Sequence, residues 1–213
     1  MRVKFDRQLE QLNQELIAMG SLCSTSIASV TDALINDVKI DKNTVVEFCA
    51  QIDQSERDIE RLCIKMLLQQ QPVANDLRQI SSALKLITDM ERIGKQAEEI
   101  ARIVAKGNIK MDDSKRRIKN MAVATIKMVN TSVDAFVSKD LDIANEVIAY
   151  DDELDNLFSK SKKDIIQFLR DGVDEEEAIG LLMIAKYFER IGDHATNIAG
   201  WVIFSVTGIH PAV

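Results

Sequence analysis

The sequence predicts an all-α fold of long helices in which one helical unit occurs twice. Two prolines and 5% aromatic residues in 213 positions leave few helix breakers and few typical strand residues. Residues 91–104 and 189–202 share eight identities in fourteen positions, at an offset of 98 residues. An internal repeat of this kind determines the architecture before any motif is interpreted. We therefore expect two modules, residues 1–109 and 110–213, each built from three helices.

The first module should contain helices over residues 4–37, 42–70 and 76–107. Asp41 can accept hydrogen bonds from the free N–H groups at the start of the second helix, and Asn75 or Asp76 can do so for the third. Pro72 has no N–H and its ring breaks a helix interior, so the second helix must end before it. Gly107 suits the left-handed position that follows a helix.

The second module repeats this order. Its first helix opens at residues 112–114, and residues 140–142 separate that helix from the next, which ends near Gly172. Asp174 caps the sixth helix, residues 174–207. Acidic residues follow in its first turn, where the helix dipole favours negative charge.

The last helix of each module carries a regular apolar row. Steps of three and four residues place seven apolar side chains on one stripe, the pattern of a bundle seam. Equivalent members of the two rows are 98 residues apart in the sequence. Positions before the turn at residues 69–74 correspond at an offset of 102 residues instead. The two modules therefore differ in length at that turn, since loops tolerate changes in length. The rows are Ala83, Leu86, Met90, Ile93, Ala97, Ile100 and Val104, and Leu181, Ile184, Phe188, Ile191, Ala195, Ile198 and Val202.

Composition and charge narrow the functional classes. A net charge of −7 disfavours nucleic acid and anionic membrane surfaces as partners, and suits cations or basic patches. The apolar run at 198–206 is far shorter than the roughly 20 residues of a membrane span, and the N-terminus shows no signal-peptide pattern. Cys23, Cys49 and Cys63 are odd in number and lie in helical patterns, which favours buried free thiols. We expect a soluble cytosolic protein.

Two acidic pairs in the second module indicate a cation site. Asp151 and Asp155 share one face of the fifth helix, and Glu189 and Asp193 share one face of the sixth, because residues four apart are neighbours. In an antiparallel hairpin, Asp155 and Glu189 are each 17 residues from Gly172, and the other two are each 21 residues from it. The two levels are then about 6 Å apart.

Four carboxylates in one groove suit hard, oxygen-seeking cations such as Mg²⁺, Mn²⁺ or iron, and less surely Ca²⁺ or Zn²⁺. The alternative is an ordinary solvated acidic face. His194 follows Asp193 but points about 100° away around the helix, so we expect a surface or supporting position for it. Gly192 and Gly94 are equivalent mid-helix glycines that indicate either close helix packing or access for a ligand. The sequence contains no phosphate-binding loop, HExxH motif or Glu-x-x-His pair.

The first module carries a weakened copy of this groove. The same construction around Pro72 pairs Asp53 with Glu91, but it pairs Cys49 with Lys95. Lys95 lies four residues from Glu91, so its ammonium group can take the place of a cation. Asp53 and Glu91 are therefore a candidate second metal site of reduced strength.

The sequence resembles the PhoU family of phosphate-uptake regulators over nearly its whole length. The resemblance rests on QQPVANDLR at residues 70–78, on ERIG at 91–94 and 189–192, and on ERIGDHATNI at 189–198. It implies two three-helix bundles side by side, related by a pseudo-twofold axis. It also implies metal clusters held by paired E(D)xxxD motifs. The second module keeps both motifs, whereas the first module has Cys49 and Lys95 at positions where the motif requires an acidic residue.

The resemblance further implies a cytoplasmic adaptor without catalytic activity. The partners it implies are a sensor histidine kinase and the phosphate-specific ABC transporter with its ATPase, both restrained by the adaptor. The expected cofactors are divalent or trivalent ions of Mg, Mn, Fe or Zn, a homodimer is one candidate assembly, and neither nucleic acid nor membrane insertion is expected. Two alternatives stay open: a metal-dependent hydrolase whose carboxylates activate water, and a coiled-coil interaction protein without metal. The lack of a general base or oxyanion donor beside the carboxylates favours the adaptor.

Overall fold

The described residues of the protein form six α-helices and no strands. A computed structural model describes residues 2–36, 42–69, 73–106, 109 and 112–211. The helices are α1 Arg2–Ile35, α2 Lys42–Gln69, α3 Ala74–Val104, α4 Asp112–Ser138, α5 Leu141–Arg170 and α6 Glu175–Thr207. The predicted all-α class and the predicted number and order of helices are confirmed.

The start of α3 differs from the prediction. Its N-cap is Val73, not Asn75 or Asp76. Asp76 stands at the third helical position instead, and its carboxylate accepts a hydrogen bond from the Val73 N–H at 3.2 Å. The acidic side chain therefore reaches back to the cap backbone, which is one half of a capping box. The predicted roles of Asp41, Pro72 and Gly107 fall outside the described residues.

The helix ends of the second module follow the prediction closely. Asp140 caps α5 by accepting hydrogen bonds from the N–H groups of residues 142 and 143. Asp174 caps α6 by accepting from the Glu177 N–H at 3.0 Å. Gly172, with φ +83°, lies between the two helices, and Gly208, with φ +80°, ends α6. Both glycines adopt the left-handed conformation that other residues reach only with strain.

The helices form two three-helix bundles, α1–α3 and α4–α6. The halves meet through α3 against α6 and α1 against α4, and in the described parts α2 and α5 contact only their own half. Gly180, near the start of α6, faces Ile103 near the end of α3, while Gly208 faces Arg78 near the start of α3. The two repeated helices are therefore antiparallel, and the pseudo-twofold axis runs across them.

The apolar rows form the core as predicted. All seven members in α6 are fully buried, and so are six of the seven in α3; Val104 at the end of α3 is partly buried. Ile93 and Ile191 are equivalent in the repeat and neither exposes any surface. The three cysteines are buried free thiols, which confirms that expectation.

One helix of the described chain, α1, contains an 18-residue window long and apolar enough to cross a membrane, which the sequence interpretation had not singled out. Half of that window is buried inside the protein, and α1 packs against α2, α3 and α4. The neighbouring helices remove the apolar side chains of α1 from water, so these side chains form part of the hydrophobic core.

Candidate metal groove

A glycine brings α5 and α6 together where the predicted carboxylates stand. A Cβ atom on Gly192 would overlap the Leu154 side chain and lie 3.5 Å from Asp151 Oδ1. The Asp151 carboxylate therefore reaches α6 directly beside Asp193, at the height that the hairpin register predicts. Gly94 plays the same part in the first module, where a Cβ atom would lie 2.8 Å from Ile52 Cδ1. Close packing explains both glycines.

The four predicted carboxylates share one electrostatic environment. Burial raises the pKa of Asp151 to about 6, and the charges of Asp155, Asp193 and Glu189 raise it too, while the Thr196 hydroxyl lowers it. The pKa of Asp193 is raised first by its burial and then by the charge of Glu189, with a smaller contribution from Asp155. Like charges that raise each other's pKa values lie close together, since the ionised forms repel.

The cationic groups near these carboxylates are few. Lys186 Nζ lies 2.5 Å from Glu189 Oε2, and the lysine side chain is 41% exposed whereas that of Glu189 is 15% exposed. His194 Nδ1 lies 2.9 Å from Asp89 Oδ1 on α3, so the imidazole points into the contact between the halves. With 16% of its side chain exposed and a partner on α3, His194 holds a partly buried supporting position, one of the two that the sequence allowed. This cross-module contact has no signal in the sequence.

The oxygen atoms of these carboxylates are suitable ligands for a hard cation, but they are not arranged as a ligand shell. Lys186 is paired with Glu189 of this set, and the imidazole of His194, which lowers the pKa of Asp193, is hydrogen-bonded to Asp89 on α3. Among the described residues no three acidic, cysteine or histidine side chains converge closely enough to hold an ion. Mutual repulsion separates carboxylates without a counterion, so cation binding requires their side chains to turn inward. The ligand set Asp151, Asp155, Glu189 and Asp193 stays a prediction.

The first module fits a metal cluster less well. Lys95 forms an ion pair with Glu91, as its spacing predicts. The Cys49 thiol donates to the Gly94 carbonyl oxygen at 3.4 Å. Burial, followed by the charges of Glu98 and Asp53, raises the pKa of Cys49 to about 11, so the thiol stays protonated at neutral pH. Asp53 and Glu91 thus lie beside a lysine and a neutral thiol.

Glu98 was missed by the sequence interpretation. It lies beside Cys49, and the carboxylate and the thiol together occupy the places that Thr196 and Asp151 occupy in the second module. At the offset of 98 residues Glu98 corresponds to Thr196, and at the offset of 102 residues Cys49 corresponds to Asp151. The acidic residue therefore lies on the third helix of the first module but on the second helix of the second module. The sequence itself contains this exchange, at a position outside the acidic motif.

A family model described as the PhoU domain matches this chain twice, at residues 16–104 and 118–202. The chain belongs to the PhoU family. The two matches fall on either side of the predicted module boundary at 109/110, and that position itself stays a prediction.

Relatives match the chain over almost all of its length. It is 33% identical over 207 residues to a phosphate-specific transport system accessory protein PhoU homolog from Clostridium acetobutylicum, covering 96% of this chain and 94% of that protein. A homolog of the same name from Pseudomonas aeruginosa is 32% identical over 209 residues, covering 96% and 86%. The family consists of accessory proteins, not enzymes, which confirms the expectation that the chain is not an enzyme.

Solved PhoU structures share the fold. The crystal structure of PhoU from Pseudomonas aeruginosa has a TM-score of 0.88 at 32% identity and covers 96% of this chain and 100% of that one. The phosphate transport system regulatory protein PhoU from Streptococcus pneumoniae has a TM-score of 0.89 at 23% identity, covering 98% and 100%. The two tandem three-helix bundles are therefore the architecture of the family.

Proposed function

We propose that the chain is a cytoplasmic, metal-binding adaptor that regulates phosphate uptake. It reduces signalling by a phosphate-responsive sensor histidine kinase and restrains the phosphate-specific ABC transporter through its ATPase. The observation that carries this role is similarity across 96% of the chain to an accessory protein of a phosphate-specific transport system. The net charge of −7 adds to it, because an acidic surface suits partners with basic patches.

The metal part of the proposal rests on the groove between α5 and α6. Asp151, Asp155, Glu189 and Asp193 are the residues that would hold the ion, with Mg, Mn, Fe or Zn as candidates. A bound cation supplies positive charge that offsets the repulsion among these groups. The close approach of the two helices at Gly192, where the Asp151 carboxylate lies near the backbone of α6, supports this assignment.

The protein's own residues give the groove two charge states. Without a cation, Lys186 pairs with Glu189, and the pKa of Asp151 is high enough for partial protonation below neutral pH. In a cation-bound state these carboxylates would be ionised and directed inward, and Lys186 would be free to turn toward solvent. The charge that a partner meets on this face would therefore differ between the two states.

Metal content tests the site. The double variant Asp155→Ala with Glu189→Ala should lose the metal that the wild type retains after purification without chelators or affinity-column metals. The matched control is Asp152→Ala with Glu153→Ala, which removes two acidic groups from exposed positions of α5. Helicity by circular dichroism should be the same in all three proteins. Unchanged metal content in the groove variant would refute the ligand assignment.

A cellular reporter tests the regulatory role. In a host strain that lacks its own copy of the gene, a promoter controlled by the phosphate-responsive kinase should be active at high phosphate. Expression of this chain should restore repression, and the groove variant should restore it less well than the control variant. Failure of the wild-type chain to repress, despite normal expression, would contradict the role without bearing on metal binding. Purified protein should also show no metal-dependent phosphatase turnover.

A further inference from the structure

An exposed apolar pair occurs at the same place in both modules. At the offset of 102 residues, residues 54–68 of α2 correspond to residues 156–170 of α5, and only two of these fifteen positions are identical. Both identities are exposed: Ile64 and Ile166 are 45% and 44% exposed. Leu67 and Leu169 are 36% and 42% exposed. Polar residues are the usual occupants of such positions, so an apolar pair that both copies keep indicates a contact with another molecule.

The pair in the second module lies on a face of α5 that adjoins α6. Ile166 and Leu169 share this face with Phe158, two turns earlier in the helix. The Phe158 ring centroid lies 5.4 Å from Lys186 Nζ on α6. The two helices are joined through Gly172, so the apolar pair is nearer to the hairpin tip than this contact. It therefore lies beside the first turns of α6.

Two more apolar side chains extend this surface on α6. Ile179 and Met183 are four residues apart and therefore lie on one side of the helix, which Lys186 continues three residues later. They are 58% and 39% exposed. Neighbouring exposed apolar side chains mark an interaction site, and anchors at this spacing suit an amphipathic helix lying in a groove. We define the apolar tip of the second module as Ile166, Leu169, Ile179 and Met183.

The two ends of the apolar tip carry opposite charges. Lys162 lies one turn before Ile166, is exposed and forms no ion pair within the described chain. At the other end, Glu175 is exposed one turn before Ile179. A helix with an acidic N-terminal end over the lysine and a basic C-terminal end at the glutamate complements this pattern. The same polarity is favoured by the dipole of that helix.

The first module keeps the apolar pair without this charge pattern. At the equivalent positions Glu60 takes the place of Lys162, and Leu77 takes the place of Glu175. Glu60 is exposed and repels the acidic end of a helix that would suit the second module. The repeat thus separates a shared apolar contact from the charges that select what binds there.

We propose that the apolar tip of the second module docks an amphipathic helix of a partner protein. The apolar side chains of that helix pack on Ile166, Leu169, Ile179 and Met183, and an acidic residue at its N-terminal end pairs with Lys162. Docking requires neither a metal ion nor the regulatory role proposed above, because no residue of the apolar tip is a proposed metal ligand.

Two hydrocarbon-stapled helical peptides of equal composition test the charge pattern. Both carry leucines along one face; the matched probe has glutamates at its N-terminal end and lysines at its C-terminal end, and the reversed probe has them exchanged. Fluorescence anisotropy titrations use the full-length protein with a chelator present. We expect the matched probe to bind about 5- to 10-fold more tightly, the effect of a few exposed ion pairs. Equal binding of the two probes, or no saturable binding of the matched probe, would overturn the proposal.

Matched variants locate the contact. Ile166→Asp should weaken binding of the matched probe at least about 10-fold, because it removes an apolar anchor. Val123→Asp is the control, since Val123 is 60% exposed on α4, and it should bind as the wild type does. Lys162→Glu installs the first-module residue and should remove the preference for the matched probe. Wild-type affinity and selectivity in the folded Ile166→Asp and Lys162→Glu proteins would contradict the assignment.

Other occupants of the surface give different results. If the occupant is a second copy of this chain, sedimentation equilibrium should show a wild-type dimer that Ile166→Asp dissociates. If it is a membrane, vesicles that contain phosphatidylglycerol should sediment the wild type but not Ile166→Asp. Either result would overturn the proposal of a partner helix. Metal content should be the same in Ile166→Asp and the wild type, so failure of this proposal is distinguishable from failure of the metal site.

Discussion

At the scale of single residues, Asp151 is the most informative group of the carboxylate groove. Its pKa of about 6 arises first from burial and then from the charges of neighbouring carboxylates. A group whose pKa is higher in the folded than in the unfolded state binds protons more tightly when folded. The free energy of unfolding therefore rises as the pH falls between about 6 and the ordinary value of 3.8.

The first prediction follows from this sign. Metal-free protein should gain stability from Asp151 as the pH is lowered from 7.5 to 5, by on the order of 1 kcal/mol after allowance for solvent screening. Asp151→Asn should be more stable than wild type at pH 7.5 and should lack this gain. Chemical denaturation at the two pH values measures both effects, with the exposed Asp152→Asn as control. Equal pH dependence in Asp151→Asn and wild type would contradict the assignment.

A second prediction concerns metal affinity. Protons compete with cations for carboxylate oxygen, so metal retention should fall as the pH drops through about 6, the pKa of Asp151. Equilibrium dialysis against Mn²⁺ at pH 5, 6 and 7.5 measures this dependence. Retention that does not change over this range would exclude Asp151 from the ligands.

Lys95 carries the third prediction at this scale. It pairs with Glu91 where the second module has an aspartate, and pairs of this spacing contribute roughly 0.2–0.5 kcal/mol. In a background without the second-module ligands, Lys95→Asp should create metal binding that the parent lacks, because three carboxylates then meet beside Cys49. Metal analysis of the parent and of the Lys95→Asp protein measures whether the substitution creates a binding site. Equal binding by both would mean that the lysine never displaced a cation.

At the scale of helices, glycine positions control how closely two helices approach. A Cβ atom at Gly192 would overlap Leu154, whereas at Gly180 the nearest side-chain atom, in Ile103, is 3.4 Å away. Both residues lie inside α6, so the difference in helix propensity is the same at the two positions. What differs is the space between the helices.

The fourth prediction uses this matched pair. Gly192→Ala should lower the free energy of unfolding by about 1–3 kcal/mol, because overpacking forces α5 and α6 apart. Gly180→Ala should leave stability unchanged or raise it by up to about 1 kcal/mol, the intrinsic advantage of alanine in a helix. Denaturant titration of both variants measures the contrast. A stable Gly192→Ala protein would show that Leu154 moves aside without cost.

At the scale of the whole molecule, the antiparallel contact between α3 and α6 joins the two bundles. His194 and Asp89 form a hydrogen bond across it, with 8% of the Asp89 side chain exposed. A polar pair at a mostly buried contact between the halves fixes their relative position, because displacement would leave both groups without a partner.

The fifth prediction measures that pair. A double-mutant cycle of His194→Ala and Asp89→Ala should give a coupling energy of about 1–2 kcal/mol, within the range for residues in direct contact. His210→Ala serves as control, since His210 is exposed near the chain end. Additive effects of the two substitutions would mean that the hydrogen bond adds nothing to the contact between the halves.

The sequence by itself determined the helices, the repeat, the buried rows and the level at which Asp151 meets α6. Each of these depends on spacing along a helix, which geometry converts directly into a face and a height. The Lys95–Glu91 pair was predictable for the same reason. The position of Asp76 inside α3 was not predicted, because the N-cap and the third helical position both favour acidic residues.

The tertiary structure alone decided what meets across helices that are distant in sequence. The antiparallel arrangement of the two halves and the His194–Asp89 contact both depend on which faces pack together. No residue pattern within one helix specifies its partner, because many pairings bury the same apolar stripe. The packed structure selects one of them through shape and through the polar groups that must find partners.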